Sequence, residues 1–357
     1  MDFIHDANPS RVIFAAGARS KTGAELDRLG ASRLMIVATP TQAGIAAEFA
    51  RLIGDRAGIV YPGAQLHTPT NVTEAALTAV SSVKADGVLA IGGGTAIGLS
   101  KAIALRTELP QLIVPTTFAG SEMTPVLMET ERGVRATRRD AKILPETVIF
   151  DPELLSALPA SVAGPSAMNA IANAIEALCA PNCDPLATLA AEEAIRALAA
   201  ALPRIVADAP DSQAWSEALY GAWLAGASIA ATGTALHHKI CEVLVGAFDL
   251  NHADAHCAML PYTSAFHRRE APDAMRRVAR TLGGEDGPSL LYDLALRVAN
   301  HDSLKAMGLT RAALEKAAAL VVEDKDDGFA RPSREGLLEI LLAAFEGARP
   351  AGGAAHG

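Results

Sequence analysis

Val88-Leu89-Ala90-Ile91-Gly92-Gly93-Gly94-Thr95, running into Ala96 to Leu105, is the stretch on which the reading of this chain turns. Four apolar residues without polar alternation describe a strand buried on both faces. The alanine-rich residues that follow have helical period, and three glycines join the two segments. Backbone without side chains lets a diphosphate come close, while the helix start offers N–H donors and the positive end of its dipole. The glycines do not have G-x-G-x-x-G spacing, so the loop alone also describes a tight strand-to-helix turn that binds nothing.

The same alternation extends to either side. Runs at Arg11 to Phe14, Arg33 to Val37, Ala57 to Tyr61, Gly87 to Ile91, Gln111 to Pro115 and Val148 to Asp151 predict strands, with helices such as Gly44 to Leu52 and Val72 to Val83 between them. The expected class is α/β, with a Rossmann-like parallel sheet. Pro115-Thr116-Thr117-Phe118-Ala119-Gly120-Ser121-Glu122 brings hydroxyls to a second strand's carboxyl end, the edge where open α/β sheets bind ligands. Thr-Thr and Gly-Ser are also ordinary turn formers. Two such loops at one edge favour a dinucleotide held by Gly92, Gly93, Gly94, Thr95, Thr116, Thr117 and Ser121. After the Arg33 to Val37 strand comes Ala38-Thr39-Pro40-Thr41, where an acid commonly binds the ribose 2′-hydroxyl and repels a 2′-phosphate. With Thr39 in that place, either NADH or NADPH is expected.

Beyond Pro159 the pattern becomes helical throughout, as in Asp184 to Ile205, Ser212 to Thr232 and Ala312 to Glu323. The predicted organisation is an α/β domain over 1–158, an all-α domain over 159–349 and a disordered tail over 350–357, with the boundary at prolines that break helix and strand alike. Five of nine histidines, His237, His238, His252, His256 and His267, fall within the second domain's middle. His267 precedes Arg268-Arg269 and is expected at the surface. His238 lies in a predicted helix, and the turn at Asp249-Leu250-Asn251 can return His252 towards it. Upstream, Asn169 and Asn173 share one helix face, as helix-packing amides or as groups pointing into a cleft.

Composition excludes several classes of partner. The 357 residues are 50% hydrophobic, enough for two cores, and 31 basic against 40 acidic side chains leave a net charge of −9, which opposes nucleic acid and anionic membranes. No run approaches a membrane span, and the first residues lack a secretory pattern, so a cytoplasmic location is expected. Cys179, Cys183, Cys241 and Cys257 then read as free thiols without a catalytic role.

Taken in order, GGGTAIGLSKAIAL from Gly92, PTTFAGSEMTP from Pro115, ILPETVIFDPEL from Ile143, MNAIANAIEALCAP from Met168 and HHKICEVLVGAFDLNHADAHCAMLP from His237 resemble the iron-containing alcohol dehydrogenase family. Within it they resemble the maleylacetate reductase branch. The resemblance covers nearly the whole chain. It implies a dehydroquinate synthase-like fold, a nicotinamide-binding first domain, a helical second domain, catalysis in the cleft between them and a homodimer. Metal-dependent relatives carry an aspartate after the glycine loop where this chain has Gly98. Their iron is held by an aspartate, a histidine four residues later and two further histidines, positions that here read Asn169, Asn173, His238 and His252. Maleylacetate reductases share the first asparagine but keep histidine at the second position, and commonly at the position of Glu242.

Two amides and two imidazoles are a poor ligand set for a divalent transition metal, so no tightly bound metal is expected. The developing alkoxide then has to be stabilised by hydrogen-bond donors or cations. The candidate catalytic residues are His238, His252, Glu242, Lys239 and His237, with Asn169 and Asn173 binding a carboxylated substrate. Glu242 lies four residues after His238 and three after Lys239, close enough on a helix to hold His238 as an imidazolium. The function implied is a metal-independent NAD(P)H-dependent reduction of maleylacetate or a related ketoacid in aromatic compound breakdown. The alternatives are a scaffold turned to a lyase, cyclase or decarboxylase reaction, or a silent nucleotide-binding protein.

Overall fold

The computed structural model describes residues 3–5, 8, 10–132, 134–207, 212–323 and 332–351. Its apolar runs become strands β1 (Arg11–Phe14), β2 (Leu34–Val37), β3 (Ala57–Tyr61), β4 (Gly87–Gly92), β5 (Gln111–Pro115) and β8 (Thr147–Phe150), all parallel in the order β1-β8-β5-β4-β2-β3. Every residue of β2, β4, β5 and β8 is buried, which is why these segments lack polar alternation. Strand order reverses between β2 and β4, so the loops leaving those strands flank the switch point at which open sheets bind ligands. Helices α1 (Thr22–Leu29), α2 (Ala43–Ile53), α3 (Thr70–Val83) and α4 (Gly94–Thr107) alternate with the strands. Leu26, Ala46, Phe49 and Ile53 from α1 and α2 pack on Ile36, Leu89, Ile91 and Val114 of the sheet.

Between β5 and β8 lies an antiparallel hairpin, β6 (Val126–Glu131) with β7 (Val134–Arg139), which the sequence reading did not foresee. Its strands carry Glu129, Glu131, Arg135, Arg138 and Arg139, and lack the apolar run that marks the sheet strands. Leu127 nonetheless anchors it against Ala102 and Ile143. Gly98 acquires a packing reason here: a Cβ added to it would lie 2.5 Å from Thr68 Oγ1, so an aspartate needs that loop to move.

The chain divides into two compact units, one spanning 7–158 and the other 159 onward together with the first residues, His5 Nδ1 lying 2.8 Å from Asp184 Oδ2. The second unit is built from α5 (Ala160–Cys179), α6 (Pro185–Ile205), α7 (Ser212–Thr232), α8 (Leu236–Phe248), α9 (His252–Glu270), α10 (Pro272–Thr281), α11 (Gly287–Val298), α12 (Arg311–Glu323) and α13 (Arg334–Glu346). From Ala163 to Leu178, α5 is buried without interruption, so its polar residues Asn169, Asn173 and Glu176 sit inside the protein. Leu244, Met259, Leu314 and Leu341 bring α8, α9, α12 and α13 into one core. No helix among the described residues is long and apolar enough to cross a membrane.

Three expectations are corrected. His267 is 4% exposed, because its position in α9 faces the core even though Arg268 and Arg269 follow it. The start of the predicted tail is packed, with Pro350 buried and the Ala351 carbonyl accepting from Arg268 at 2.7 Å, while 352–357 lie outside the described residues. The predicted last strand ends one residue earlier, since Asp151 leaves the sheet. Its buried carboxylate accepts from the Gly17 and Arg19 amides, the Arg19 guanidinium and the Glu153 amide, tying both ends of the α/β unit together. Asp151→Ala strands these donors and is expected to cost about 3 kcal/mol, measured as a lower urea midpoint; an unchanged midpoint contradicts the tie.

Candidate functional site

In the α/β unit, three loops meet at the carboxyl ends of β2, β4 and β5. Gly92 closes β4 with φ 146, and Gly93 precedes α4 in extended conformation with no side chain capping the helix. A Cβ on Gly93 would lie 2.7 Å from Thr117 Oγ1, so the glycine and threonine loops touch only because that position lacks a side chain. Gln42 Nε2 donates to Thr116 Oγ1 at 2.5 Å, and Thr39 Oγ1 donates to Gln42 Oε1 at 3.3 Å, which links the β2 loop to the β5 loop. Gly92, Gly93, Thr116, Thr117 and Thr39 are thus drawn together, with Gly94 and Thr95 opening α4 beside them. Gln42 was not singled out in the sequence; its position three residues after Thr39 was the available signal. Ser121 is engaged differently, its carbonyl accepting from the buried Lys101 ammonium at 2.5 Å.

In the helical unit, the histidines form a cluster built from α5, α8 and α9. His238 and His252 ring centroids lie 4.8 Å and 4.5 Å from that of His256, so the turn after α8 does bring His252 back. His256 Nδ1 is 3.0 Å from His237 Nε2, and His237 Nδ1 is 2.9 Å from Thr263 Oγ1. Thr263 spends its single proton on the Met259 or Leu260 carbonyl, so its oxygen accepts from His237 Nδ1–H. His237 Nε2 then accepts from His256 Nδ1–H, and His256 Nε2 is left as a buried acceptor without a hydrogen-bond partner. Burial pushes His237 down to about 3 and His256 well below its ordinary value, so both rings are neutral.

His238 is the exception. Its Nδ1 lies 2.5 Å from Glu176 Oε2, and Glu176 also accepts from the Ala235, His237 and His238 amides. Burial opposes charge on both partners, but mutual attraction prevails, holding the Glu176 carboxyl down to about 2 and raising His238. The carboxylate bonded to Nδ1 is therefore Glu176 and not Glu242, the residue expected from helix spacing; Glu242 adds to the raised His238 value through its charge. Glu176 was overlooked because it lies 62 residues away from His238 in sequence. Its signal was the spacing Asn169, Asn173, Glu176, which is one face of α5. Both asparagines are buried, and Asn169 Oδ1 has no partner among the described residues. Lys239 is half-buried on α8, and His252 is exposed at the start of α9.

His237 and His256, with Cys241, place ligand atoms within 4.8 Å of one another. Those atoms already bond to each other, and burial pushes the Cys241 thiol far up, which keeps it protonated. The four cysteines are free, and burial also raises the thiols of Cys179, Cys183 and Cys257, in keeping with the absence of a nucleophilic role.

Comparison with known proteins assigns the class. Residues 9–152 match the model described as iron-containing alcohol dehydrogenase, and 164–345 the Fe-containing alcohol dehydrogenase family, C-terminal. The chain belongs to the iron-containing alcohol dehydrogenase family of oxidoreductases. Among its relatives, the maleylacetate reductase of Sphingobium indicum is 44% identical and that of Burkholderia cepacia 43%, each covering 98% of this chain and 99% of its own length. The solved maleylacetate reductase of Agrobacterium tumefaciens superposes with a TM-score of 0.93 at 41% identity, over 98% of this chain and 100% of that one.

Two measurements follow. Gly93→Ala forces its methyl onto Thr117 and is expected to weaken NADH binding at least about tenfold, followed by nicotinamide fluorescence; unchanged binding removes this loop from the cofactor site. The second concerns pH. Below the ordinary imidazole value of 6.5 the unfolded chain protonates His237, His256 and His267, whose folded values are lowered by burial. Stability from these neutral rings therefore falls as pH drops below 6.5. The raised His238 contributes fully below 6.5, and the lowered Glu176 fully above 4.5, so neither changes between those limits. Glu122, raised to about 7 by burial, loses stability over the same range, but three rings outweigh one carboxyl, so the urea midpoint is expected to rise from pH 5 to pH 6.5; a falling midpoint contradicts neutral buried rings.

Proposed function

We propose that this chain is an NAD(P)H-dependent reductase of maleylacetate or a closely related carboxylated ketone, acting in aromatic compound breakdown without a tightly bound metal. The observation that carries the chemistry is the Glu176–His238 pair, in which the carboxylate favours the protonated imidazole, whereas burial keeps His237 and His256 neutral. Full-length identity of 41–44% to several maleylacetate reductases supports the choice of substrate.

The donor set is at odds with a resident iron. At the positions that hold iron in metal-dependent relatives, this chain offers two amides and two imidazoles, and His238 Nδ1 is already bonded to Glu176. The partnerless Asn169 Oδ1 is a neutral oxygen and supplies no charge to balance a divalent cation. No step is assigned to a metal.

NAD(P)H supplies the hydride when bound, with Gly92, Gly93, Gly94 and Thr95 cradling its diphosphate and Thr39, Thr116, Thr117 and Ser121 lining the approach. The close approach of the glycine loop to Thr117, which position 93 permits only without a side chain, supports this assignment. Thr39 leaves the 2′ position open to either nicotinamide. Whether hydride reaches the ketone carbon or the conjugated alkene carbon, negative charge develops on the ketone oxygen. His238 Nε2–H donates to that oxygen, and a donor of this kind is worth about 2.7–4 kcal/mol. Asn169 and Asn173 offer amide donors to a substrate carboxylate, with Lys239 and His252 as the nearby cationic and polar groups and His237 holding the cluster's hydrogen bonds.

The test is absorbance at 340 nm with maleylacetate and NADH or NADPH, run with and without chelator on protein whose metal content is measured. Prompt oxidation that survives chelation is expected, with kcat falling as pH rises through the raised His238 value. Cofactor binding without oxidation would favour the lyase, cyclase or silent reading, and loss of activity to chelator would overturn metal independence.

A further inference from the structure

The carboxylate of Glu176 stands at the start of α8 and does two things there. The N-cap residue Ala235 has no side chain to satisfy the first turn, and Glu176 reaches across from α5 to accept from Ala235 N at 2.9 Å, His237 N at 2.6 Å and His238 N at 3.3 Å. These bonds fix the carboxylate relative to the α8 backbone. Its Oε2 then meets the ring of a residue in the same turn, His238 Nδ1, at 2.5 Å. A carboxylate accepts only, so Nδ1 carries the proton in this contact. The ring cannot turn over without breaking a buried charge-assisted hydrogen bond, and Glu176 is itself 1% exposed, so water offers no replacement.

We propose that Glu176 is the positioning residue of His238, fixing the ring with Nδ1–H towards the protein and leaving Nε2 as the nitrogen that meets the substrate. The assignment rests on the reductase reading for its kinetic consequence, but its structural content does not. With Nδ1 committed to Glu176, the ring donates from Nε2 only when doubly protonated. A glutamine at 176 can still accept the His237 and His238 amides through Oε1, whereas its amide nitrogen, in place of Oε2, would give up the Ala235 amide, face Nδ1 and favour the neutral ring protonated at Nε2. That ring is a far weaker acid, so a substitution that keeps two of the three cap bonds removes the proton donor. Loss of the equivalent carboxylate in the serine-protease triad, where the wrong tautomer results, costs about 10⁴ in kcat.

The experiment combines kinetics of Glu176→Gln with ring ¹⁵N spectra of the ¹⁵N-histidine-labelled wild-type protein, the His238 signals being identified by their loss in His238→Gln. In the wild type, His238 is expected to be protonated at Nδ1 with a strongly downfield proton. In the variant, kcat is expected to fall at least about a hundredfold with KM changed less than about threefold. A wild-type His238 bare at Nδ1 overturns the proposal whether or not Glu176→Gln folds. A folded variant with lowered stability and unchanged kcat also overturns it, leaving Glu176 as a helix cap only. If the wild type does not reduce maleylacetate, the reductase reading fails, and the ring spectrum still decides whether Glu176 sets the tautomer.

Discussion

A carboxylate removed from water must be neutralised, fully hydrogen-bonded or both, and the interior of the helical unit is organised around one that meets the last condition. Glu176 takes amides from the start of α8 and the Nδ1 proton of His238, all from a helix buried from Ala163 to Leu178. Its charge is the reason one imidazole can be cationic where burial drives its neighbours neutral. The remaining rings are ordered by proton counting from Thr263 through His237 to His256. The result is a cluster in which one acid favours the protonated form of His238 while burial favours neutral His237 and His256.

The α/β unit solves a different problem, bringing backbone rather than charge to a ligand. Its three loops converge because β2, β4 and β5 are neighbours and because Gly93 has no side chain to push Thr117 away. Gln42 bridges Thr39 and Thr116, so the loop after β2 is mechanically joined to the threonine loop. Gly98 belongs to the same packing, facing Thr68, a residue itself held at φ 45.

Most of the fold was legible because buried parallel strands need continuous apolar runs, and those runs punctuate the first 150 residues. The β6–β7 hairpin escaped because its polar side chains obscure the strand pattern. The site was legible in part. Local clustering drew attention to His237, His238 and His252, but the partner of His238 depends on packing of α5 against α8, and helix spacing pointed to Glu242 instead. His267 misled for a related reason: two arginines after it suggested a wet face, whereas at 4% exposure its position in α9 faces the core.

The shared carboxylate has a consequence for how such a protein can change. Glu176 caps a helix and holds a side chain with the same two oxygens, Oε2 serving both Ala235 N and His238 Nδ1, so the stability of that first turn and the seating of the ring are coupled. A substitution that loosens the first turn of α8 also unseats the imidazole, and one that strengthens the turn by supplying a local cap competes for the oxygens that hold the ring. Asn169 and Asn173 share the α5 face with Glu176 and are buried beside it in the same helix.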